Sequence, residues 1–347
     1  MKLRVFHGPA NIAGIGRHLA DWQREQGILA DFYSYADTPI VDRSHVELRF
    51  FEYGWAARKL LRIAFVLFAV LRYNVFHFYD GVSLLPNNLD MPLLKLLRKK
   101  IVMTYCGTDI RLVAVEMTRN PYARLLRIGL DDPRYDGLKK RRMRWHRLWV
   151  DRVIAPRNLY ASARTVYPSK TVEKEIWLHN TVDVHAYTPS TYATKTPPVV
   201  VHAPSEAGIK GTEYVERSVR ELHRRGVEFE YRLLRDCPHL EVQRVLRDEA
   251  DIILDQFLLG GFGTLAVEGM YYGKPVIGYL LESVKAEYYP DCPILNASID
   301  DLPDKLAWLI EHPDERTRLG REGRLFVERH FDRDKVGHRV LELYSAL

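Results

Sequence analysis

Short apolar runs alternate along the chain with stretches of helical spacing, and the alternation occurs in two series. In the first, Met1 to Phe6, Ala30 to Tyr35, Val75 to Phe78, Ile101 to Tyr105 and Arg152 to Pro156 are brief and mostly apolar, the pattern of strands buried in a sheet. Between them, helical spacing runs to Gln26, where Gly27 stops it, then through Leu71, from Leu93 to Lys100 and from Leu138 to Asp151. Glu116 to Asp136 predicts no element. A polar stretch rich in Thr and Pro, Thr188 to Pro198, has the composition of a linker. Beyond it the second series opens with Val199 to Ala203 as a strand, Glu206 to Gly211 as a loop, and Thr212 as the cap of a helix reaching Arg225. Phe229 to Leu234, Ile252 to Leu254 and Val276–Ile277 read as further strands. Leu240 to Ala250, Leu265 to Tyr271, Leu302 to Ile310, Glu315 to Arg329 and Lys335 to Leu347 read as helices. Such alternation predicts parallel sheets with helices on both faces, in which ligands sit at the carboxyl ends of the strands.

A chain of 347 residues with 47% hydrophobic and 28% charged residues is long enough for two cores and is not of disordered composition. Three cysteines, Cys106, Cys237 and Cys292, are far apart and lack metal-ligand spacing, which points to a reducing compartment, the cytoplasm. Met1 to Phe6 is too short for a signal peptide. The net charge of +6 favours anionic partners. Much of the excess is local: Lys139 to Arg147 is a basic run with Trp145 inside it, and Arg58, Lys59 and Arg62 precede the apolar stretch Ile63 to Leu71. That stretch falls short of the roughly 20 residues of a membrane span, so it is either a core helix or an interfacial one. The basic run contains no motif that reads bases, and no nucleic-acid partner is expected.

The chemistry concentrates in Gly260-Gly261-Phe262-Gly263-Thr264-Leu265, between the strand Ile252 to Leu254 and the helix that Gly273 stops. A glycine loop opening a helix exposes backbone N–H groups at its positive end, suited to a phosphate or a sugar hydroxyl. Glu268, one turn in, can accept two hydrogen bonds from vicinal hydroxyls such as those of a ribose. The alternative is a tight strand-to-helix turn with Glu268 in water. Gly14-x-Gly16 lacks the third glycine of a dinucleotide fingerprint, since Leu19 stands there, but it leaves a phosphate-facing loop before the first helix.

This stretch resembles the E-x7-E region of GT-B glycosyltransferases of the family-4 type, where a Glu-Gly-Phe-Gly loop leads to a second Glu and then Gly-Lys-Pro-Val. Gly260 stands at the first Glu, Glu268 at the second, and Gly273-Lys274-Pro275-Val276 follows. The resemblance covers nearly the whole chain. Gly14 and Gly16, with Arg17 beside them, fall at the family's glycine loop against the donor diphosphate. Cys106-Gly107-Thr108-Asp109 falls at its His-Gly-x-Asp, Asn180-Thr181-Val182-Asp183 at its Asn-Gly-Val-Asp, and Lys210-Gly211 at its Lys-Gly. The departures are Ser205 for an arginine, Gly260 for the first Glu, Cys106 for the histidine, and one βα unit fewer between Leu234 and Asp251. Arg17 or Arg235 is a candidate for the missing charge.

The resemblance implies an α/β fold of GT-B type, with two Rossmann-like parallel-sheet domains facing a central cleft. Residues 1–187 form an acceptor-side domain, 188–332 bind the nucleotide sugar, and the last helix, 333–347, is free to pack back on the first. It implies a retaining glycosyltransferase without metal or resident cofactor, whose co-substrate is a UDP- or GDP-linked sugar and whose acceptor is a glycan or a lipid-linked molecule. Donor-binding residues are then Gly14, Gly16, Arg17, Lys210, Gly261, Phe262, Gly263, Thr264, Leu265 and Glu268. The acceptor-side residues are Cys106, Gly107, Asp109 and Arg111. Lys210, facing the leaving phosphate, and Asp109, near the acceptor, are the catalytic candidates, with helix capping as the structural alternative for Asp109. The Asp332-x-Asp334 pair reads as charge at the start of the terminal helix rather than a metal site. The alternatives are a sugar-nucleotide epimerase and a catalytically silent nucleotide-sugar binder. The basic and tryptophan-bearing segments add an anionic membrane surface, at the inner face of the membrane, as a partner of a cytoplasmic protein.

Overall fold

Strand pairing is parallel throughout both sheets. The computed structural model describes residues 2–36, 44–126, 133–168, 171–173, 176, 178, 181–189 and 195–347. It divides into two units: Met1–Leu112 with Arg134–Thr181 and Arg333–Leu347, and Val113–Pro133 with Val182–Asp332.

The first unit contains β1 (Arg4–His7), α1 (Ile15–Glu25), β2 (Leu29–Ser34), β3 (Val46–Glu47), α2 (Trp55–Arg72), β4 (Val75–Tyr79), α3 (Met91–Leu96) and β5 (Lys100–Thr104). After α4 (Val113–Arg119), which belongs to the second unit, it resumes with α5 (Pro133–Trp149), β6 (Arg152–Ile154), α6 (Tyr160–Arg164) and β7 (Val172–Glu173). The strand order is β3-β2-β1-β4-β5-β6-β7, with Val5 opposite both Ala30 and Val75. Val5, Phe6, Phe76, Val102 and Met103 are fully buried because helices cover both faces, which is why these strands read as continuous apolar runs.

The second unit contains β8 (Val199–His202), α7 (Ala207–Lys210), α8 (Thr212–Arg224), β9 (Glu230–Leu233), α9 (His239–Asp248), β10 (Ile252–Leu254), α10 (Thr264–Tyr271), β11 (Val276–Gly278), α11 (Glu282–Tyr288), β12 (Leu295–Asn296), α12 (Leu302–Glu311) and α13 (Pro313–His330). Its order is β12-β11-β10-β8-β9. In each sheet the chain reverses direction of growth once, between β1 and β4 and between β8 and β10. At such a switch the connections on either side leave to opposite faces, which opens a crevice at the strands' carboxyl ends.

The final helix, α14 (Arg333–Ser345), packs on α1 in the first unit. Asp334 accepts the Trp22 indole N–H at 2.6 Å, and Gly337 lies so close to the Trp22 ring that a Cβ there would come within 2.4 Å of it. Segment 113–133 joins the second unit because Val113 and Leu126 enter its apolar core and the Asn120 amide donates to the Leu258 carbonyl at 2.7 Å.

Three local expectations are corrected. Glu206 to Gly211 is not an open loop, since Ala207–Lys210 makes one helical turn that Gly211 ends at φ 77°. Thr212 does not cap α8, because its hydroxyl is engaged with His202 Nε2 at 3.0 Å. Leu93 to Lys100 is helical only to Leu96, and Lys100 already pairs with Val75 in the sheet. In the linker stretch, residues 190–194 lie outside the described residues, as does Asn180 of the Asn-Thr-Val-Asp run.

Candidate functional site

The switch point between β8 and β10 gathers most of the sequence-predicted donor residues. Lys210 ends α7, which follows β8, while the loop after β10 carries Asp255 and Gln256 and reaches Gly263 at the start of α10. Lys210 Nζ donates to Gln256 Oε1 at 2.5 Å, and the Gln256 amide donates in turn to the Gly261 carbonyl. Asp255 Oδ2 accepts the Gly263 N–H at 2.7 Å. Gly263 must be small: a Cβ on it would fall 2.8 Å from Lys210 Nζ, 3.1 Å from Asp255 Oδ1 and 3.3 Å from Gln256 Oε1. The loop is therefore fixed by side chains from its own strand end, and a lysine is drawn against it. Burial pushes the Asp255 carboxyl up, while Lys210 and the Gly263 N–H pull it down.

Thr264 and Leu265 form the first turn of α10, where backbone N–H groups lack helical partners. Glu268 is buried in the next turn and accepts from His239 Nε2 at 2.5 Å and from the Gln243 amide at 3.4 Å, both on α9. Phe262, expected to meet the donor, packs its ring against Tyr289, Phe326 and Phe331, with centroids 4.7, 6.2 and 6.0 Å away. Its contribution is to anchor the loop in the core. Arg235 reaches Glu216 at 3.3 Å and, with Lys210, bears on the buried His202, whose pKa falls to about 4 chiefly through burial.

In the first unit, Gly14 has φ 69° and opens α1, while Gly16 lets α1 approach the Phe32 and Tyr79 rings, which a Cβ would meet at 2.7 and 2.9 Å. Arg17 is tied to Asp21 at 2.5 Å. Asp109 does not cap a helix. Its carboxylate closes a turn by accepting the N–H groups of Cys106 at 3.1 Å and Gly107 at 2.6 Å, after the end of β5. Burial and the adjacent Asp109 carboxylate raise the Cys106 thiol well above its ordinary value, so it is a neutral thiol. Arg111 is buried, and its carbonyl accepts Lys139 Nζ at 2.7 Å.

Four residues near these sites escaped the sequence reading. Asp80, just past β4 with φ 56°, is raised to about 7 by burial and by Asp109, and Arg142 opposes the rise while donating to the Asp109 carbonyl at 2.6 Å. Tyr79-Asp80-Gly81 at a strand end carried that signal. For Asp255 and Gln256 the one signal was a polar pair directly after an apolar strand. His239 had no signal, because only the tertiary fold brings α9 to Glu268.

No family model matches the chain. Trehalose synthase of Pyrococcus horikoshii is 24% identical over 141 residues, which is 40% of this chain and 33% of that enzyme, so the match spans about a third of that relative's length. Among solved structures, sucrose-phosphate synthase from Thermosynechococcus elongatus superposes with a TM-score of 0.70 at 13% identity, covering 100% of this chain and 99% of that one. HepE of Anabaena in complex with UDP-glucose does so with a TM-score of 0.67 at 14% identity, covering 100% of both. The fold is GT-B.

Within that fold Gly260 has a local reason. Its φ is 66°, and a Cβ would lie 2.5 Å from Leu281 Cγ. A glutamate here would cost about 1–2 kcal/mol in backbone strain and about 1–3 kcal/mol in displacing Leu281. Gly260→Glu is therefore expected to destabilise the protein by about 2 kcal/mol or more in urea unfolding. Unchanged stability would show that the loop readily takes another path.

Proposed function

We propose that the protein is a glycosyltransferase that moves a sugar from a nucleotide-diphosphate sugar to an acceptor hydroxyl, with retention at the anomeric carbon. The observation that carries this reading is the meeting of Lys210 with the Gly261 to Gly263 turn at the β8/β10 switch point, where α10, the helix of Glu268, begins. Lys210 and the positive end of α10 bind the diphosphate, and Glu268 takes the ribose hydroxyls. Charge grows on the leaving phosphate as the glycosidic bond breaks, so a fixed cation and helix N–H groups act more strongly in the transition state than before it. No protein nucleophile is required, because the leaving phosphate can receive the acceptor's proton on the same face. Nor does this chemistry require a metal, since Lys210 and the helix end supply the positive charge. HepE in complex with UDP-glucose supports UDP as the nucleotide. Gly14, Gly16 and Arg17 belong to the donor side, and Cys106, Gly107, Asp109 and Arg111 hold the acceptor.

The acceptor is borne on or linked to a membrane. No helix among the described residues is long and apolar enough to cross one, but α2 turns apolar side chains to solvent: Trp55 is 73% exposed, Leu60 70%, Ile63 53%, Leu67 56% and Leu71 79%. Its inward face is Val66, Ala69 and Val70. The helix carries Arg58, Lys59, Arg62 and Arg72 and no acidic residue, with Lys59 Nζ 4.0 Å above the Trp55 ring. A basic, tryptophan-bearing apolar face complements anionic headgroups above acyl chains. The basic run on α5 contributes less, since Lys139 and Arg142 are turned to the Arg111 and Asp109 carbonyls.

Two experiments test these readings. Glu268→Ala should weaken nucleotide binding by about 1.5–3 kcal/mol, the range for a hydrogen bond to a charged group. Lys210→Ala should lower turnover more than it weakens nucleoside monophosphate binding. Unchanged nucleotide affinity in folded Glu268→Ala, or equal losses for Lys210→Ala, would remove those roles. Separately, the protein should sediment with anionic vesicles at low salt, and Leu60→Gln, Ile63→Gln and Leu67→Gln together should abolish it. Binding that ignores these substitutions, or none at low salt, would refute a membrane role for α2.

A further inference from the structure

Gln256, in the loop that follows β10, is a buried polar side chain with both ends of its amide in use. Its Oε1 accepts Lys210 Nζ at 2.5 Å, and its Nε2 donates to the Gly261 carbonyl. These two bonds fix which end of the amide is which, since an ammonium only donates and a carbonyl only accepts. The backbone is held as well. The Gln256 carbonyl accepts the N–H of Tyr279, just past β11, at 2.9 Å, and the Phe257 N–H donates to the Lys210 carbonyl at 3.0 Å. Lys210 is thus tied at its backbone by Phe257 and at its ammonium by Gln256.

The tie puts the ammonium at the mouth of α10. A Cβ on Gly263, the residue before that helix, would meet Lys210 Nζ at 2.8 Å and Gln256 Oε1 at 3.3 Å, so the side chain that Gly263 lacks is the room the tie occupies. Gln256 is buried, whereas Lys210, Gly263 and Thr264 are each partly exposed, which leaves the ammonium and the helix end open to a ligand with the amide behind them. The nearby carboxylate, Asp255, gives its Oδ2 to the Gly263 N–H at 2.7 Å. A lysine has much rotamer freedom to lose, and α7, which carries this one, is a single turn. The amide oxygen takes up that freedom before any ligand arrives, and being neutral it sets no charge against the lysine's. An ammonium has three donors, so the bond to Gln256 need not break when a phosphate is met.

We propose that Gln256 is the positioning residue of the donor site: it holds the Lys210 ammonium against the Gly261 to Gly263 turn, so that cation and turn meet the diphosphate as one preformed unit. This rests on the donor site proposed above. Gln256 touches no part of the donor, and its effect passes through Lys210. Preorganisation of this kind shows in affinity, because a side chain already fixed costs nothing further to fix on binding. Loss of the tie should weaken diphosphate binding by about tenfold to thirtyfold, the worth of one lysine's rotamer freedom. Where Lys210 is absent, the same loss should change nothing.

The test is calorimetric binding of UDP and of GDP, with UMP and GMP beside them, to wild type, Gln256→Met, Lys210→Ala and the double variant. Methionine is close to glutamine in length and lacks its amide. Gln256→Met should weaken the diphosphate about tenfold or more, and the diphosphate more than the monophosphate, in the proportion that Lys210→Ala shows. Added to Lys210→Ala, it should change diphosphate binding by less than about twofold, because the group it positions is gone. A side chain that only held the loop together would weaken diphosphate and monophosphate alike and would keep its full effect without Lys210. Either of those results, or wild-type affinity in folded Gln256→Met, overturns the inference and leaves the donor site standing. If Gln256→Met does not fold, Gln256→Asn enters the same cycle, since its amide is one methylene too short to span Lys210 and Gly261. If Lys210→Ala binds the diphosphate as wild type does, or neither nucleotide binds folded wild type, the donor site falls and the inference with it.

Discussion

A parallel sheet has to be covered on both faces, and a chain that reverses its direction of strand addition must send its connections to opposite sides at the reversal. That constraint fixes where each half of this molecule can bind anything. Between β8 and β10 the layers part, and the residues just past the two strands, Lys210 on one side and Asp255 to Gly263 on the other, are the groups that line the gap. Between β1 and β4 the equivalent positions are held by the Gly14 loop and by Asp80, with Asp109 after the neighbouring β5.

The donor-side loop is shaped more by its own polar contacts than by its glycines alone. Asp255 and Gln256 tie down Gly263 and Gly261, Phe262 pins the loop to an aromatic cluster, and Gly260 takes a left-handed turn that leaves Leu281 no room for a side chain beneath it. The residue that the family resemblance would put at Gly260 is thus strained on the path of this backbone. An internal carboxylate, Asp255, stands close by, and the charge of Lys210 bears on it.

Much of the architecture was legible in the sequence, because strands buried on both faces write themselves as short apolar runs: Val199 to His202, Ile252 to Leu254 and Ile101 to Thr104 needed no further information. The marginal elements were not, since β3, β7 and β12 have only two residues each and α7 is a single turn. The apolar stretch of α2 could be placed as a helix but not as an exposed one, for helical periodicity does not say which face meets water. Lys210 and Glu268 were named as donor residues from spacing and resemblance. Their partners Gln256 and His239 were not, because each contact joins residues that only the folded sheet brings together.

The central claim is that Lys210, the first turn of α10 and Glu268 form a nucleotide-sugar site. A ligand that binds only the folded state must raise its melting temperature in proportion to the logarithm of ligand concentration over Kd. Melting curves against a panel of UDP- and GDP-linked sugars address the claim most directly. The account predicts that at least one of them raises Tm of the wild type with concentration, and that Lys210→Ala and Glu268→Ala each blunt the rise. A panel that leaves Tm unmoved at every concentration, or a rise that both variants retain in full, would contradict it.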